Sequence, residues 1–362
     1  MKSHSEGAVA MAKGRKPAAR KGKPAAKAGK KIAAARRLRV HVTHGPTIVE
    51  SQIVTPERMS KGAKAFPGVL GRLDVSYGDG PAALDAGLAE AEVLFLAGTV
   101  DLADLRRRAP RLKWIQSMSA GVEKLAPLIP DGITLTNASG VHGPRGGEYG
   151  ITGVLMLNSR VPHFVGNQQK ARWHQIHTTP LKGKTLLLLG TGAIGGEVAR
   201  LAKQFGMRVL GVSRSGKKHP SIDKVYRTAD LARALPLADF VLSTLPLTPE
   251  TKGMIGRREL DLLPPHAGIV NLGRAGVIDY EGLAEKLAKG ELAGAVLDVF
   301  DQEPLPASSP LWSVPNLILS PHCAVDDEEA YVPRCLDIFF DNAKRMLAGQ
   351  ALRNVVDTRL GY

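Results

Sequence analysis

Arg274 in NLGRAGVID, Glu303 in LDVFDQEPLP and His322 in NLILSPHCA each stand just past a short apolar run. Apolar runs of that length read as buried strands. In an open α/β sheet, ligands sit in the crevice beyond the C-terminal strand ends, so these three side chains can converge there. Their chemistry is complementary. An arginine can grip a carboxylate with its planar fork and polarise an adjacent carbonyl. A carboxylate can hold an imidazolium and set its tautomer. A protonated histidine can then give its proton to a carbonyl oxygen as a hydride arrives at the carbon. Taken singly each residue is ordinary, and it is their placement at successive strand ends that joins them.

A hydride needs a carrier, and GTGAIG places Gly190, Gly192 and Gly195 in the G-x-G-x-x-G spacing, with Ala193 and Ile194 between them. The motif follows an apolar run and opens an amphipathic segment, the context that makes it a dinucleotide fingerprint. Its glycines suit a tight turn, a close backbone approach to pyrophosphate, and close helix–strand packing. The helix N-terminus then offers unpaired N–H groups to the phosphates. An NAD site usually closes the next strand with an acid that binds the ribose hydroxyls. VSRSGKK stands there instead, with Ser213 18 residues past Gly195, followed by Arg214 and Ser215. Loss of the acid removes repulsion toward a 2′-phosphate, and Arg214 adds a donor suited to it. The reading is NADP(H) preferred, with NAD(H) possible. No metal site is expected.

Elements must carry these residues to one place. LRVHVTH, EVLFLAG, LKWIQSM and GITLTNAS read as strands, alternating with the helical AALDAGLAEA and LADLRRRAP. A second alternating series runs from KTLLLLG through AIGGEVARLAKQFG, MRVLGVS, ADLARALPLA, DFVLSTLP, RRELDLLPP, AGIVNLG, DYEGLAEKLAKGE and GAVLDVF to LILSPH. Strands alternating with helices predict parallel sheets covered on both faces. GEYGITGVLMLNSRVPHFV (147–165) reads as a single helix joining two lobes, and EEAYVPRCLDIFFDNAKRMLAG as an amphipathic helix returning to the first. The fold class is α/β, with two doubly wound, Rossmann/flavodoxin-like parallel-sheet domains. Residues 39–150 start the substrate lobe, 151–324 form the dinucleotide lobe, and 325–362 return to the first.

The chain of 362 residues carries a net +15. Residues 1–39 hold thirteen Lys and Arg against Glu6 alone, so residues 40–362 carry only +3. The basicity is therefore mostly a Lys/Ala/Gly/Pro-rich tail, residues 1–38, with too few large apolar side chains to offset the entropy of ordering, and it reads as disordered. A nucleic-acid partner is not expected, except through this tail. No apolar run approaches the roughly 20 residues that span a bilayer. Two cysteines, Cys323 and Cys335, are too few for a disulfide framework and point to a reducing, cytoplasmic setting.

Taken in order, SMSAGVEKL, NASG, GEYG, GTGAIG, LPLTPETKGMIG, NLGRAGVID, LDVFDQEPLP and SPHCA resemble the D-isomer-specific 2-hydroxyacid dehydrogenase family. The resemblance implies a cofactor lobe inserted into a substrate lobe, with Arg274, Glu303 and His322 as the catalytic set. It places the substrate carboxylate on the backbone of Ser119, Ala120, Gly121 and Val122, with Leu96, Ala97 and Gly98 as a second substrate loop. Leu245, Pro246, Leu272, Gly273 and Asp298 match positions on the nicotinamide side, and Thr251 joins the cofactor set. SRSGKK resembles the NADPH-preferring glyoxylate/hydroxypyruvate reductases of the family. A phosphoglycerate dehydrogenase is less expected, because no regulatory domain follows residue 357. CAVDDEEA after His322 departs from the family's small-residue stretch with a hydroxyl. A homodimer through Glu148 to Leu157 is expected by resemblance. Two alternatives stand beside a 2-keto acid reductase: an NAD-dependent D-2-hydroxyacid dehydrogenase with another substrate, and a dinucleotide-sensing, corepressor-like binding protein of the same fold.

Overall fold

The computed structural model describes residues 37–358. The basic tail expected over 1–38 lies, but for its last two residues, outside them. Val, Leu and Ile dominate the strand runs, and every one of those strands pairs in parallel.

The first lobe holds β1 (Leu38–His44), β2 (Leu73–Tyr77), β3 (Val93–Ala97), β4 (Trp114–Ser117) and β5 (Thr134–Thr136) in the order β2-β1-β3-β4-β5. Its helices are α1 (Pro56–Gly62), α2 (Pro81–Glu90) and the single turn α3 (Leu105–Arg108). Two helices then follow in succession, α4 (Gly143–Asn158) and α5 (Val161–Gln169). The second lobe holds β6 (Thr185–Leu189), β7 (Arg208–Ser213), β8 (Lys224–Arg227), β9 (Phe240–Ser243), β10 (Gly268–Asn271), β11 (Gly294–Leu297) and β12 (Leu317–Leu319), in the order β12-β11-β10-β9-β6-β7-β8. Helices α6 (Ala193–Gln204), α7 (Leu231–Ala234), α8 (Arg257–Asp261) and α9 (Tyr280–Lys289) connect these strands. The last helix, α10 (Tyr331–Leu347), packs back into the first lobe. The order of the first sheet is flavodoxin-like. That of the second is Rossmann-like, with one added strand at its edge.

The return of α10 follows from its sequence. Tyr331, Val332, Cys335, Leu336, Phe339, Phe340 and Ala343 recur at helical spacing and are buried on one face. Phe339 stacks on Phe95 at 4.8 Å and on Trp114 at 5.5 Å between ring centroids. Burial of such a side chain contributes about 1.5–3 kcal/mol. Leu187, Leu189, Leu210, Val241, Ile269 and Leu297 fill the second lobe in the same way.

Several elements differ from the sequence expectation. The joining helix is not one helix over 147–165. It starts earlier, at Gly143, and breaks at Ser159–Arg160, where Arg160 takes φ +56° and Pro162 opens α5. Proline has no N–H to continue a helix and fits its first turn, so the break falls just before it. The early start was hidden by the glycines of α4, which are poor helix formers. They let α4 approach α6 closely: a Cβ on Gly147 would lie 2.6 Å from the Glu197 Cβ, and one on Gly150 2.6 Å from a Val198 methyl. The helix expected at ADLARALPLA shrinks to α7, with Pro236 in the 3₁₀ turn that follows. LDVSY (β2), KVYR (β8) and PERMSKG (α1) were not foreseen as elements.

Candidate active site

Every residue singled out in the second lobe lies at the C-terminal edge of its sheet. Gly190 follows β6, where the strand order reverses between β6 and β9, the position at which doubly wound sheets bind ligands. Gly190 takes φ +100°, a left-handed conformation that glycine adopts without penalty. A Cβ on Gly195 would overlap the Gly190 carbonyl, so helix and strand touch there. A Cβ on Gly192 would meet nothing within 4 Å, which leaves open space above that backbone. Helix α6 begins at Ala193 and Ile194 with no side chain capping its amides. Those amides and the space above Gly192 fit a pyrophosphate.

Ser213 ends β7, and its hydroxyl accepts a hydrogen bond from the Gly216 amide at 3.2 Å. Arg214, Ser215, Lys217 and Lys218 are exposed around this turn. The Ser215 hydroxyl accepts from the Lys217 amide at 3.3 Å. Across the groove, a Cβ on Gly273 would lie 2.5 Å from the Leu245 carbonyl oxygen. The Leu245–Pro246 and Leu272–Gly273 segments therefore run backbone against backbone. Leu272 is buried, and Thr251 is engaged within its own turn, its hydroxyl donating to the Pro246 carbonyl at 2.6 Å.

The expected trio stands at successive strand ends, and the charges of both His322 and Arg274 act on His142. His322 Nδ1 and Glu303 Oε2 are 2.7 Å apart, and Glu303 Oε1 accepts from the Phe300 amide at 2.8 Å. Arg274 reaches across to the first lobe. Its Nε donates to Glu123 Oε1 at 3.1 Å, and its guanidinium lies over Gly121 where any Cβ would collide with it. Beneath it runs the loop after β4. The Ser119 carbonyl accepts from Ala138 N at 3.1 Å and the Ala120 carbonyl from Asn137 Nδ2 at 2.8 Å. The amides of Ala120, Gly121 and Val122 donate to nothing among the described residues. Three free N–H groups beside a guanidinium make a site for a carboxylate. Leu96 and Ala97 are buried in β3, and Gly98 turns at φ +74° against Ile48.

Asp298 follows β11 and is 1% exposed. Its Oδ1 accepts from Ser320 Oγ at 2.7 Å and from the amides of Cys323 and Ala324, each at 3.2 Å. The Tyr149 hydroxyl donates to Ser320 Oγ at 2.9 Å, tying α4 to the same loop. Oδ2 is buried and, among the described residues, accepts from no donor. Burial raises the Asp298 pKa above the usual aspartate value, against these hydrogen bonds. Sequence reasoning missed Glu123, His142, Tyr149 and Ser320. Glu123, Tyr149 and Ser320 stood within quoted motifs, and His142 did not, and nothing in their spacing marked a role.

Residues 151–324 match the model of the D-isomer specific 2-hydroxyacid dehydrogenase NAD binding domain. The chain is 36% identical over 248 residues to a glyoxylate reductase of Aeropyrum pernix, covering 65% of this chain and 74% of that protein. It is 32% identical over 291 residues to a glyoxylate/hydroxypyruvate reductase B of Pectobacterium atrosepticum, covering 77% and 90%. The chain belongs to the D-isomer-specific 2-hydroxyacid dehydrogenase family. Its fold superposes with a TM-score of 0.74 on an NADPH-dependent glyoxylate/hydroxypyruvate reductase from Sinorhizobium meliloti, solved with NADP and sulfate. That pair is 27% identical and covers 90% of this chain and 100% of the other. This 2-hydroxyacid dehydrogenase is thus an oxidoreductase with an NAD(P)-binding domain, in two parallel α/β lobes of five and seven strands. Among its described residues, no helix is long and apolar enough to cross a membrane.

Proposed function

We propose that this dehydrogenase reduces small 2-oxo acids of the glyoxylate/hydroxypyruvate type to D-2-hydroxy acids with NADPH. The observation that carries the reading is the Glu303–His322 pair together with a guanidinium seated over three free amides, the charges of His322 and Arg274 acting on one and the same ring, His142. When bound, the nicotinamide supplies a hydride to the carbonyl carbon. The amides of Ala120, Gly121 and Val122 and the Arg274 fork receive the substrate carboxylate, which fixes the orientation of the adjacent carbonyl. Glu303 accepts from His322 Nδ1–H, so that Nε2 carries the proton turned to the substrate. Nε2–H donates to the carbonyl oxygen and transfers its proton as charge builds there. One hydride and one proton are added, the oxygen becomes a hydroxyl, and solvent reprotonates His322.

The cofactor would be held by Gly190, Gly192, Ala193, Ile194 and Gly195 at its pyrophosphate and by Ser213, Arg214 and Ser215 at its 2′-phosphate. The backbone about Leu245, Pro246, Leu272 and Gly273, with Asp298 Oδ2 as acceptor, would hold the nicotinamide. The exposed basic turn supports NADPH over NADH, because a phosphate dianion gains from Arg214 what a bare ribose does not. Initial rates with glyoxylate and hydroxypyruvate and each cofactor test the reading. A kcat/KM favouring NADH removes the NADPH assignment, and reduction of neither acid removes the substrate assignment. The homodimer expected through Glu148 to Leu157 is supported by apolar side chains exposed on the helix and loop that follow, Phe164, Val165 and Trp173, the last 90% exposed. Sedimentation of Trp173→Ser as a monomer, against a wild-type dimer, would support it.

A further inference from the structure

His142 was not among the expected site residues, yet the chain folds it against the segment that follows His322. It immediately precedes α4. The strand exit leading to it, residues 137–141, braces the carboxylate loop through Asn137 and Ala138. Its ring stacks on Tyr331 at 5.3 Å, and the Tyr331 hydroxyl donates to the Met118 carbonyl at 2.7 Å, one residue before that loop. From the other lobe comes the segment after His322. His142 Nδ1 lies 3.2 Å from the Val325 carbonyl oxygen and 3.6 Å from Asp326 Oδ1. His142 is thus bracketed between the loop that follows β4 and the loop that carries His322. The charges of His322 and Arg274 both act on it.

The tautomer follows from these contacts. A carbonyl oxygen only accepts, so Nδ1 carries the hydrogen and the neutral ring presents a bare Nε2. Among the described residues Nε2 has no hydrogen-bond partner, and it is not sealed from solvent. Burial lowers the His142 pKa, with His322 and Arg274 acting the same way against Asp326 and the Val325 carbonyl, and so favours the neutral ring. The other groups gathered here donate, as Arg274 and the loop amides do, or are engaged, as Glu123 and Glu303 are.

The geometry points to His142 as a specificity-determining residue whose Nε2 accepts a hydrogen bond from a hydroxyl on the carbon next to the substrate carbonyl. It selects 3-hydroxy-2-oxo acids such as hydroxypyruvate over glyoxylate, which has no such hydroxyl. This inference rests on the 2-oxo acid reading above. It also gives the acidic run after His322 a purpose, since Val325 and Asp326 hold the ring in place.

The test compares hydroxypyruvate with glyoxylate as substrates of wild type and His142→Phe at one NADPH concentration. Phenylalanine keeps a ring against Tyr331 and removes the acceptor. The ratio of kcat/KM for hydroxypyruvate over glyoxylate should fall about tenfold, the usual strength of one net hydrogen bond. Both substrates are read on one preparation, so partial misfolding cancels from the ratio. His142→Gln, which offers an acceptor oxygen, should recover part of it. A ratio unchanged in His142→Phe, or lost equally in His142→Gln, overturns the role of His142 and leaves the reductase reading standing. A wild type that reduces neither acid overturns both.

Discussion

His322 is held at a backbone φ of +48°, a conformation that β-carbon-bearing residues rarely adopt. Such strain costs on the order of 1–3 kcal/mol and persists only where the surroundings enforce it. The enforcement is visible: its amide donates to the Asp298 carbonyl at 2.9 Å, while Asp298 Oδ1 gathers the next two amides of the same loop. In the proposed reaction the strain aims one ring. His322→Ala should therefore lower kcat by about 10²–10⁴-fold, the range for a lost general acid. A rate near wild type in a steady-state assay would take His322 out of the mechanism. At the adenosine end, Arg214→Ala should raise KM for NADPH about tenfold and KM for NADH far less, as loss of one charge-assisted contact predicts. Equal shifts for both cofactors would make the basic turn a solvated surface only. Arg274, Glu303 and His322 were legible because each follows an apolar strand run. Glu123 was not, since its meaning comes from Arg274, 151 residues away and in the other lobe.

At the scale of elements, strands were read better than helices. A β6 or β10 announces itself, because a buried parallel strand is an uninterrupted apolar run. Helix α4 does not, because it is chosen for small size on one face rather than for helix propensity. Its glycines form the seam against α6, the helix that opens the cofactor site. Gly150→Leu should thus destabilise the protein by about 1–3 kcal/mol, the cost of overpacking a close interface. Chemical denaturation would register it, and an unchanged midpoint would show that the seam has slack. The Phe339 face of α10 is the opposite case, large rather than small. Phe339→Ala should cost about 3–5 kcal/mol through the cavity left beside Phe95 and Trp114.

Across the whole molecule, charge and chemistry are separated along the chain. The described lobes come from a nearly balanced stretch, while the excess of positive charge lies in the first 39 residues. Removing residues 1–36 should leave kcat/KM for 2-oxo acid reduction within about twofold. If the full chain binds DNA, that binding should weaken steeply with salt and vanish with the tail. Salt-sensitive binding that survives the deletion would place a nucleic-acid surface on the lobes themselves. The two-lobe plan and the return of α10 to the first lobe were both legible in the order of the elements, but the side chains α10 would meet there were not, since an amphipathic pattern does not say which residues of a sheet it will cover. That return of α10 has a consequence for how the chain leaves the ribosome. Tyr331 meets Met118 across 213 residues of sequence, so the first lobe to be synthesised is the last to be closed. The seven-stranded lobe, contiguous from Thr185 to Leu319, can consolidate while the nascent five-stranded sheet still exposes Phe95 and Trp114. A chain stalled before Tyr331 would carry one finished lobe and one open apolar face, the kind of surface that chaperones hold.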